Sequence, residues 1–260
     1  IEKLRSVRNR FKTFADCAYL NTDYTKIINI PSLAKNDCDG KYITVKQSAF
    51  IPEDKDLLKE HCECIFDIQV NALATRLIKT GLCPVVGVSG GLDSTLALLV
   101  SVKAAQKAGL TNKNCIAVTM PCFGTTDRTY TNSQRLMQAL GVTSKSVQIS
   151  NSVLSHFKDI GHDQNTHDLT YENAQARERT QVLMDLCNKF GGIVLGTGDL
   201  SEIALGWCTY NGDHMSMYGV NGSVPKSLIR WIVEAVADMP AFAPAKETLM
   251  DVLDTPISPE

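Results

Sequence analysis

The stretch that decides the fold is PVVGVSGGLDSTLALL, residues 84–99. Its first part, residues 84–88, is an apolar run typical of a buried strand, and a helix is predicted over residues 94–109. Between them, two adjacent glycines allow a tight turn that brings backbone N–H groups close to an anion. Ser94 is predicted to cap the helix, whose positive end would point at the same place. A strand, a glycine turn and a helix in this order predict a phosphate-binding loop.

Outward from this loop, short apolar runs alternate with helical patterns. Besides residues 84–88, the predicted strands are residues 115–120, 146–149 and 192–195. Helices are predicted from Asp56 to a stop at Gly81, over residues 129–140, 151–159 and 173–190, and from Lys226 to Val236. Strands that alternate with helices of this length imply right-handed crossovers. We therefore expect an α/β fold, a Rossmann-like parallel sheet with helices on both faces.

Ligand chemistry in such a sheet is expected at the carboxyl ends of the strands, in the loops that follow Val88, Met120 and Leu195. The glycine loop lacks the Lys of a Walker A motif, which argues against ordinary γ-phosphoryl transfer. Phosphate oxygens would repel Asp93 unless a cation such as Mg²⁺ lies between them. The alternative is a glycine turn that merely starts a helix, with Asp93 as a second cap.

Composition excludes several classes of protein. The 260 residues include 26 Lys and Arg against 28 Asp and Glu, and this near balance argues against binding to a nucleic-acid backbone. No apolar run approaches the roughly 18 residues of a membrane span. The nine Cys are an odd number in a core-rich chain, so we interpret them as reduced thiols of a cytoplasmic protein. His61, Cys62 and Cys64 lack the second ligand pair of a zinc site and are interpreted as structural.

The first 50 residues follow a different pattern. Apolar runs at residues 26–30 and 41–45 flank a polar stretch that ends in Asp39 and Gly40, which predicts two strands joined by a loop. Such a pair is too small to be an independent domain. We therefore expect the chain to be a piece of something longer, whose neighbouring parts would complete the sheet of residues 1–50.

The glycine loop and several later segments resemble known enzymes. The string SGGLDS, residues 89–94, resembles the PP-loop of the N-type ATP pyrophosphatases, which cleave ATP between the α and β phosphates. The later segments resemble NAD synthetases, specifically the synthetase domain of the glutamine-dependent type. They are YENAQARER (171–179), GTGDLSE (196–202), GWCTY (206–210), GDHMS (212–216) and NGSVPK (221–226). The resemblance covers residues 51–260 in order and implies the adenine nucleotide alpha hydrolase-like, PP-loop type of α/β fold.

The resemblance implies a ligase that forms a C–N bond. The nicotinate carboxylate of deamido-NAD would attack the α-phosphate of the co-substrate ATP, pyrophosphate would leave, and ammonia would displace AMP to give NAD. It also implies Mg²⁺ as cofactor, a homodimer or higher homo-oligomer, and an upstream amidase (glutaminase) domain as the source of ammonia. Residues 1–50 would be the remnant of that domain, and residues 51–260 a synthetase domain truncated at its C-terminus. No nucleic-acid or membrane partner is expected, and this chain should accept ammonia and not glutamine.

The resemblance assigns the catalytic chemistry to four residues. Asp93 and Glu202 match the magnesium ligands, Lys226 matches a lysine on the ATP phosphates, and Asp213 matches a group that binds or deprotonates ammonium from a lid loop. Without the resemblance, Glu202 and Lys226 are ordinary solvated charges and Asp213 is a turn residue. The implied ATP-binding set is Gly87, Ser89, Gly90, Gly91, Asp93, Ser94, Met120, Thr197, Lys226 and Thr255.

A second set of residues is implied for deamido-NAD. It comprises Asn173, Arg177, Glu202, Trp207, Cys208, Thr209 and Tyr210. Aromatic faces would stack on the pyridine ring, and Arg177 would pair with a phosphate or a carboxylate. Contacts of Tyr210 and Met217 are not carried over, because the ammonia-only branch of the family has Lys and Asp there.

Some interpretations stay open at this point. Pro121 and Thr125 are expected beside Met120 in an adenine pocket, although apolar strand ends are more often plain core, and Thr197 is alternatively a helix cap. His162 and His167 could bind a metal, but a mobile loop that closes over substrate is favoured. Two rival functions are a PP-loop enzyme of the tRNA-thiolating type and a nucleotide-binding fragment without activity. The absence of a Cys-x-x-Cys pair and the net charge of -2 count against the first.

Overall fold

A computed structural model describes residues 50–255, so the strands predicted at residues 26–30 and 41–45 lie outside the described residues. Five strands form one sheet in the order β3-β2-β1-β4-β5, and every neighbouring pair is parallel. The strands are β1 (Cys83–Gly87), β2 (Ile116–Thr119), β3 (Thr143–Ser146), β4 (Gly192–Gly196) and β5 (Tyr218–Gly219). The predicted parallel α/β sheet is confirmed.

Eight α-helices and two short 3₁₀ helices surround the sheet in the described part of the chain. The α-helices are α1 (Lys55–Thr80), α2 (Leu92–Lys107), α3 (Asp127–Ala139), α4 (Ser150–Ile160), α5 (Leu169–Phe190), α6 (Leu200–Leu205), α7 (Lys226–Ala237) and α8 (Lys246–Leu253). The 3₁₀ helices are Asn112–Asn114 and Pro240–Ala245. Helix α1 ends as predicted at Gly81, whose φ of 69° is left-handed and whose N–H donates to the carbonyl of Leu77.

Two apolar cores lie on the two faces of the sheet. Alternate strand residues point to opposite faces, so Val86 packs with α1, α2 and α7, whereas its neighbour Val85 packs with α4 and α5. Strand β4 divides in the same way: Leu195 joins the first core and Val194 joins the second. Burial of each such side chain contributes about 1.5–3 kcal/mol to the free energy of folding. The predicted coverage of both faces by helices is confirmed.

The predicted position of the third strand is wrong by three residues. Strand β3 spans Thr143–Ser146, not residues 146–149. It lies at the edge of the sheet, where its side chains alternate between half-buried and exposed, so it does not need an apolar sequence. The apolar residues that suggested a strand, Val147 and Ile149, follow it and pack beneath α4 and α5.

The sequence pattern also missed the other edge strand. Strand β5 has only two residues, and it pairs Tyr218 with Leu195 and Gly219 with Gly196. It follows directly on the segment that was predicted to be a lid, and two residues are too few to produce a periodic pattern. No helix within residues 50–255 is long and apolar enough to cross a membrane.

Candidate active site

The glycine loop turns sharply at the carboxyl end of β1, the central strand. Gly90 has a φ of 92°, and a Cβ at this position would lie 2.3 Å from the backbone oxygen of Thr129 in α3. Any residue with a side chain would therefore both strain the backbone and collide with α3. The predicted need for glycine in a tight turn is confirmed at this residue.

Ser94 does not cap helix α2, which corrects the prediction. The helix begins at Leu92, and its N-cap is Gly91, which has no side chain to offer. Ser94 is buried one turn further on, where its Oγ accepts from the N–H of Ser89 at 3.3 Å and donates to the Gly91 carbonyl at 3.1 Å. The hydroxyl of Ser89 in turn accepts from the Gly91 N–H. The two serines thus hold the loop in shape, and the first N–H groups of α2 keep no side-chain cap.

Asp93, Glu202 and Lys226 meet beside this loop, although they come from three separate segments. Asp93 is in the first turn of α2, Glu202 in α6 and Lys226 at the start of α7. The Lys226 Nζ lies 2.6 Å from Oδ2 of Asp93 and 3.2 Å from Oε1 of Glu202. The structure therefore brings together the three residues that the resemblance placed on the phosphates and the metal.

A fourth member of this cluster, Asp199, was missed by the sequence analysis. Asp199 is fully buried and is the N-cap of α6, where its Oδ1 accepts from the N–H groups of Ser201 at 2.6 Å and Glu202 at 3.0 Å. In return, Oε2 of Glu202 accepts from the Asp199 N–H at 3.1 Å. This is a capping box, and the spacing of Asp199 and Glu202 was the signal that could have revealed it. Asp199, and not Thr197, is the helix cap.

The four charged groups are not balanced. Burial, the largest influence, raises the pKa of Asp93 and of Glu202 above their ordinary values, although the ammonium group of Lys226 acts in the opposite direction. Burial alone would lower the pKa of Lys226, but its hydrogen bond to Asp93 and the nearby carboxylates outweigh burial and raise it. One ammonium group therefore supplies less positive charge than these desolvated carboxylates require.

The carboxylates fit a divalent cation. One oxygen each from Asp93, Asp199 and Glu202 lies within 4.8 Å of the other two. Asp93 Oδ1 and Asp199 Oδ2 are buried and accept no hydrogen bond. Magnesium prefers such hard oxygen ligands and keeps several waters or phosphate oxygens besides one or two carboxylates. The donor set therefore suits the cation that the sequence analysis expected at Asp93 and Glu202.

A buried amide, Asn221, joins the two loops that carry these carboxylates. Its Nδ2 donates to the backbone oxygen of Asp93 at 2.9 Å and to that of Thr197 at 3.0 Å. Its Oδ1 accepts at 3.1 Å from Nε2 of Gln69, a buried residue of α1. The same Nε2 lies 2.9 Å from the carbonyl of Val220. Neither amide was predicted from the sequence, because a contact between residues 152 positions apart leaves no local pattern.

A cavity of about 200 Å³ opens beside the cluster. Its lining consists of Leu92, Asp93, Lys226, Ser227, Ile229 and Arg230. Small-molecule sites usually measure roughly 300–1,000 Å³, so this space is too small for a whole nucleotide.

The remaining residues of the implied ATP set make other contacts, and within residues 50–255 their side chains form no hydrogen bond with the carboxylates. A Cβ on Gly87 would lie 3.4 Å from the Met120 side chain, and Met120 belongs to the core on the α4 and α5 face. Thr125 closes a turn after Pro121 by accepting from the N–H of Cys122. Thr255 follows α8, where its hydroxyl donates to the Asp251 carbonyl. No hydrogen bond among residues 50–255 links Thr255 to the carboxylates.

Apart from Glu202, which belongs to the carboxylate cluster, the residues implied for deamido-NAD lie on α5 or in the loop that α5 contacts. Asn173 Oδ1 accepts from the hydroxyl of Thr209 at 2.8 Å, and Arg177 Nε donates to the carbonyl of Tyr210 at 3.1 Å. These contacts fix residues 206–216, which we call the aromatic loop, against the helix. Trp207 and Tyr210 of this loop are 78% and 82% exposed and present ring surface to a ligand, although the Tyr210 ring centroid lies 5.9 Å from that of His214 in the same loop. Cys208 is also exposed.

Asp213 belongs to the aromatic loop and not to the carboxylate cluster. Its Oδ1 accepts from the N–H of Thr209 at 2.6 Å, and His214 Nδ1 lies 2.7 Å from the carbonyl of the same residue. These contacts agree with the alternative interpretation of Asp213 as a turn residue. They place the Asp213 carboxylate in a turn that is closed by hydrogen bonds within the aromatic loop.

The two histidines expected in a mobile loop pack against aromatic rings. His162 lies against Phe157, with ring centroids 4.9 Å apart, and His167 stacks on Tyr171 at 4.3 Å. His162 Nε2 is also 3.6 Å from Oδ1 of Asp168, the N-cap of α5. Within residues 50–255, neither histidine belongs to a group of three side chains able to hold a metal ion.

The central glycine loop and the carboxylates gathered around a lysine define an α/β protein of the PP-loop class. The chain belongs to the NAD synthase family, whose model matches residues 68–240.

Individual relatives agree with this family. The glutamine-dependent NAD(+) synthetase of Mycobacterium leprae is 43% identical over an alignment of 223 positions that covers 83% of this chain and 33% of the relative. The Mycobacterium bovis protein of the same name is 40% identical and matches 100% of this chain but 40% of its own length. The solved structure of the Acinetobacter baumannii glutamine-dependent NAD+ synthetase, in complex with ADP, has a TM-score of 0.63 and 29% identity, and the match covers 71% of this chain and 35% of that one. The chain thus spans 33–40% of the length of these relatives.

Proposed function

We propose that residues 51–260 form a synthetase domain that converts deamido-NAD, ATP and ammonia into NAD, AMP and pyrophosphate. The observation that carries the proposal is the meeting of Asp93, Glu202 and Lys226 beside a glycine loop with uncapped N–H groups. Membership of the NAD synthase family supports it and weighs against a tRNA-thiolating enzyme. Because the chain spans a minor part of its curated relatives, substrates and partners are part of the proposal.

The glycine loop binds the triphosphate in this proposal. Helix α2 has 16 residues and points its uncapped N-terminal end at the loop, so backbone N–H groups and the helix dipole favour an anion there. Gly90 keeps the turn of the loop tight, because its left-handed backbone and its closeness to α3 leave no room for a side chain. Lys226 reaches the same place and stabilises negative charge that develops as the bond between the α and β phosphates breaks.

Asp93 and Glu202 would hold Mg²⁺ in this arrangement. The bound cation would supply positive charge against the phosphate oxygens and fix their orientation. The two carboxylates are held for this role by the start of α2 and by the capping box of α6.

The reaction itself needs no protein nucleophile. A carboxylate oxygen of the nicotinate ring forms a bond to the α-phosphorus, and the bond to the pyrophosphate oxygen breaks. The ammonia nitrogen then bonds to the acyl carbon, AMP departs with the shared oxygen, and the nitrogen loses one proton. The protein's contribution is alignment of two anions that repel each other, with water excluded from the adenylate.

The aromatic loop would receive deamido-NAD. Trp207 and Tyr210 offer ring faces to the pyridine, and Arg177 retains N–H groups besides the Nε that holds the loop. Asn173 positions Thr209 in the same loop. For Asp213, binding or deprotonation of ammonium remains a proposal, since its carboxylate accepts from the Thr209 N–H.

The partners of this reaction are also proposed. We assign the supply of ammonia to an upstream glutaminase domain, with residues 1–50 as its remnant, because the relatives are named glutamine-dependent. A homodimer or larger homo-oligomer and a cytoplasmic location complete the proposal.

One assay tests the function. The chain is incubated with deamido-NAD, ATP, Mg²⁺ and ammonium chloride, and AMP and NAD are quantified. Equal amounts of both products are expected, and glutamine should not replace ammonium. ATP binding without either product would instead support the inactive nucleotide-binding fragment.

A further inference from the structure

We infer that Asp199 is a third carboxylate of the cation site and that Lys226 is the internal counterion of that site, which a divalent cation displaces from the carboxylates. The inference deepens the proposed function, because it rests on the same cluster as the proposed Mg²⁺ site. It adds a residue that the sequence resemblance did not assign, and it gives Lys226 two alternating positions.

The buried Asp199 side chain has one carboxylate oxygen that accepts no hydrogen bond. The residue is fully buried, yet only its Oδ1 accepts hydrogen bonds, both from the start of α6. Its Oδ2 is buried without a hydrogen bond and lies 3.3 Å from the Lys226 Nζ, inside the cluster. A helix cap needs one oxygen and no charge, so Asn or Ser would serve α6 equally well. A buried charge of this kind is costly unless a cation compensates it.

The cluster as a whole has more negative than positive groups. Three carboxylates surround one ammonium group, which leaves a net charge of -2 when all are ionised. A divalent cation would neutralise this remainder far better than a second lysine, and no other Lys or Arg within residues 50–255 makes an ion pair with these carboxylates. The affinity of oxygen sites for such cations rises with the number of charged ligands.

The Lys226 ammonium group lies between the three carboxylates. Its Nζ lies 2.6–3.3 Å from an oxygen of each carboxylate, which is where a bound cation would compete with it. Two positive groups at that separation repel each other, and beside the buried Asp199 carboxylate they do so more strongly than in bulk water. The Lys226 side chain is 42% exposed and borders the open cavity, so it has room to turn away. Cation binding would thereby release Lys226 toward the phosphates.

The test measures Mn²⁺ binding to the 260-residue chain without ATP, by the loss of the free-ion electron paramagnetic resonance signal. Asp199→Asn and Asp199→Ser both keep a capping oxygen and remove the charge, and each should weaken Mn²⁺ binding by roughly tenfold. Lys226→Met should instead tighten binding several-fold, because it removes the competing ammonium group. Asp168→Asn is the matched control, since Asp168 is the N-cap of α5 and lies outside the cluster; it should leave the affinity unchanged.

The outcomes separate the two parts of the inference from each other and from the proposed function. Unchanged Mn²⁺ affinity in both Asp199 variants, with circular dichroism like that of the parent chain, would overturn the role of Asp199. Unchanged or weaker binding in Lys226→Met would overturn the counterion role, and this variant does not depend on the cap of α6. If the Mn²⁺ results are as expected but no NAD forms, the proposed function fails and the cation site stands.

Discussion

The carboxylate cluster and the aromatic loop are built in opposite ways. The cluster draws side chains from α2, α6 and α7 and is tied to α1 by buried amides, so distant parts of the chain must all be in place to form it. The aromatic loop continues directly from α6, where the Trp207 N–H donates to the Glu202 carbonyl. Side chains of α5, those of Asn173 and Arg177, hold it from the other side, and its largest rings face solvent. The difference indicates a rigid end at the cluster and an adaptable end at the aromatic loop, which in the proposed reaction would bind the phosphates and deamido-NAD respectively.

The largest effect should come from the rigid end. Asp93→Ala and Glu202→Ala each remove a carboxylate from the cluster, and we expect NAD and AMP formation to fall roughly 10³-fold because charge on the triphosphate is no longer balanced. Asp56→Ala is the control, since Asp56 is also acidic and in the first turn of a helix. Activity near that of the parent chain in either cluster variant would remove these carboxylates from the mechanism.

A pair of glycine substitutions isolates the close approach of the loop to α3. Gly90→Ala should lower the free energy of unfolding by about 2–4 kcal/mol, since it adds both left-handed strain and a collision with Thr129. Gly109→Ala, at a φ of 80° with nothing within 4 Å, should cost only about 1–2 kcal/mol of strain. Urea denaturation measures both values. Equal losses would show that the collision is relieved without cost.

The buried amide should matter more for stability than an exposed one. Asn221→Ala leaves the carbonyls of Asp93 and Thr197 without their donor, and we expect a loss of about 2–3 kcal/mol in the free energy of unfolding. Asn165→Ala removes an amide that bonds to Asp163 within an exposed turn, and it should cost less than about 1 kcal/mol. A small loss at Asn221 would contradict the tie between the two loops.

At the adaptable end, substitution should affect one substrate and not the other. Arg177→Ala removes the contact to the Tyr210 carbonyl, and the KM for deamido-NAD should rise roughly tenfold. The KM for ATP in the same steady-state assay is the internal control and should change little. A parallel rise in both values would mean that the aromatic loop is not separate from the phosphate site.

The smallest effect is expected at the surface ion pair between Arg128 and Asp251. Its N–O distance of 2.6 Å equals that between Lys226 and Asp93. The hydrogen bond from Arg128 lowers the pKa of Asp251, so this pair stabilises the fold above the unfolded pKa and is lost as the pH falls through the folded one. Because both side chains are more than 40% exposed, Asp251→Asn should cost only about 0.2–1 kcal/mol at pH 7. Thermal unfolding at pH 7 and at strongly acidic pH should show the difference at pH 7 alone.

Structural elements with a local sequence pattern were predicted correctly. The turn at Gly90, the stop at Gly81 and the central strands β1, β2 and β4 depend on neighbouring residues and on burial from both faces, so periodicity identified them. Edge strands β3 and β5 are half-buried or very short, and their apolar signal is weak.

For the candidate site, the resemblance supplied Asp93, Glu202 and Lys226, while Asp199 and Asn221 were missed. Asp199 was overlooked because one motif contains two acidic residues and the capping box was not recognised. Asn221 and Gln69 meet only through the tertiary fold, since they come from opposite ends of the described chain. The wrong assignment of Ser94 as a cap has a similar origin: a serine in the first turn can bond back to the loop as easily as it can cap the helix.

The manner in which Asn221 joins the two loops has a consequence for how this site could change over generations. The amide holds the backbone oxygens of residues 93 and 197 and neither of their side chains. Replacement of either side chain therefore leaves the attachment intact. The frame and the reactive groups can vary independently, so a lineage or a protein engineer could exchange the functional side chains at these positions without first rebuilding the scaffold that presents them.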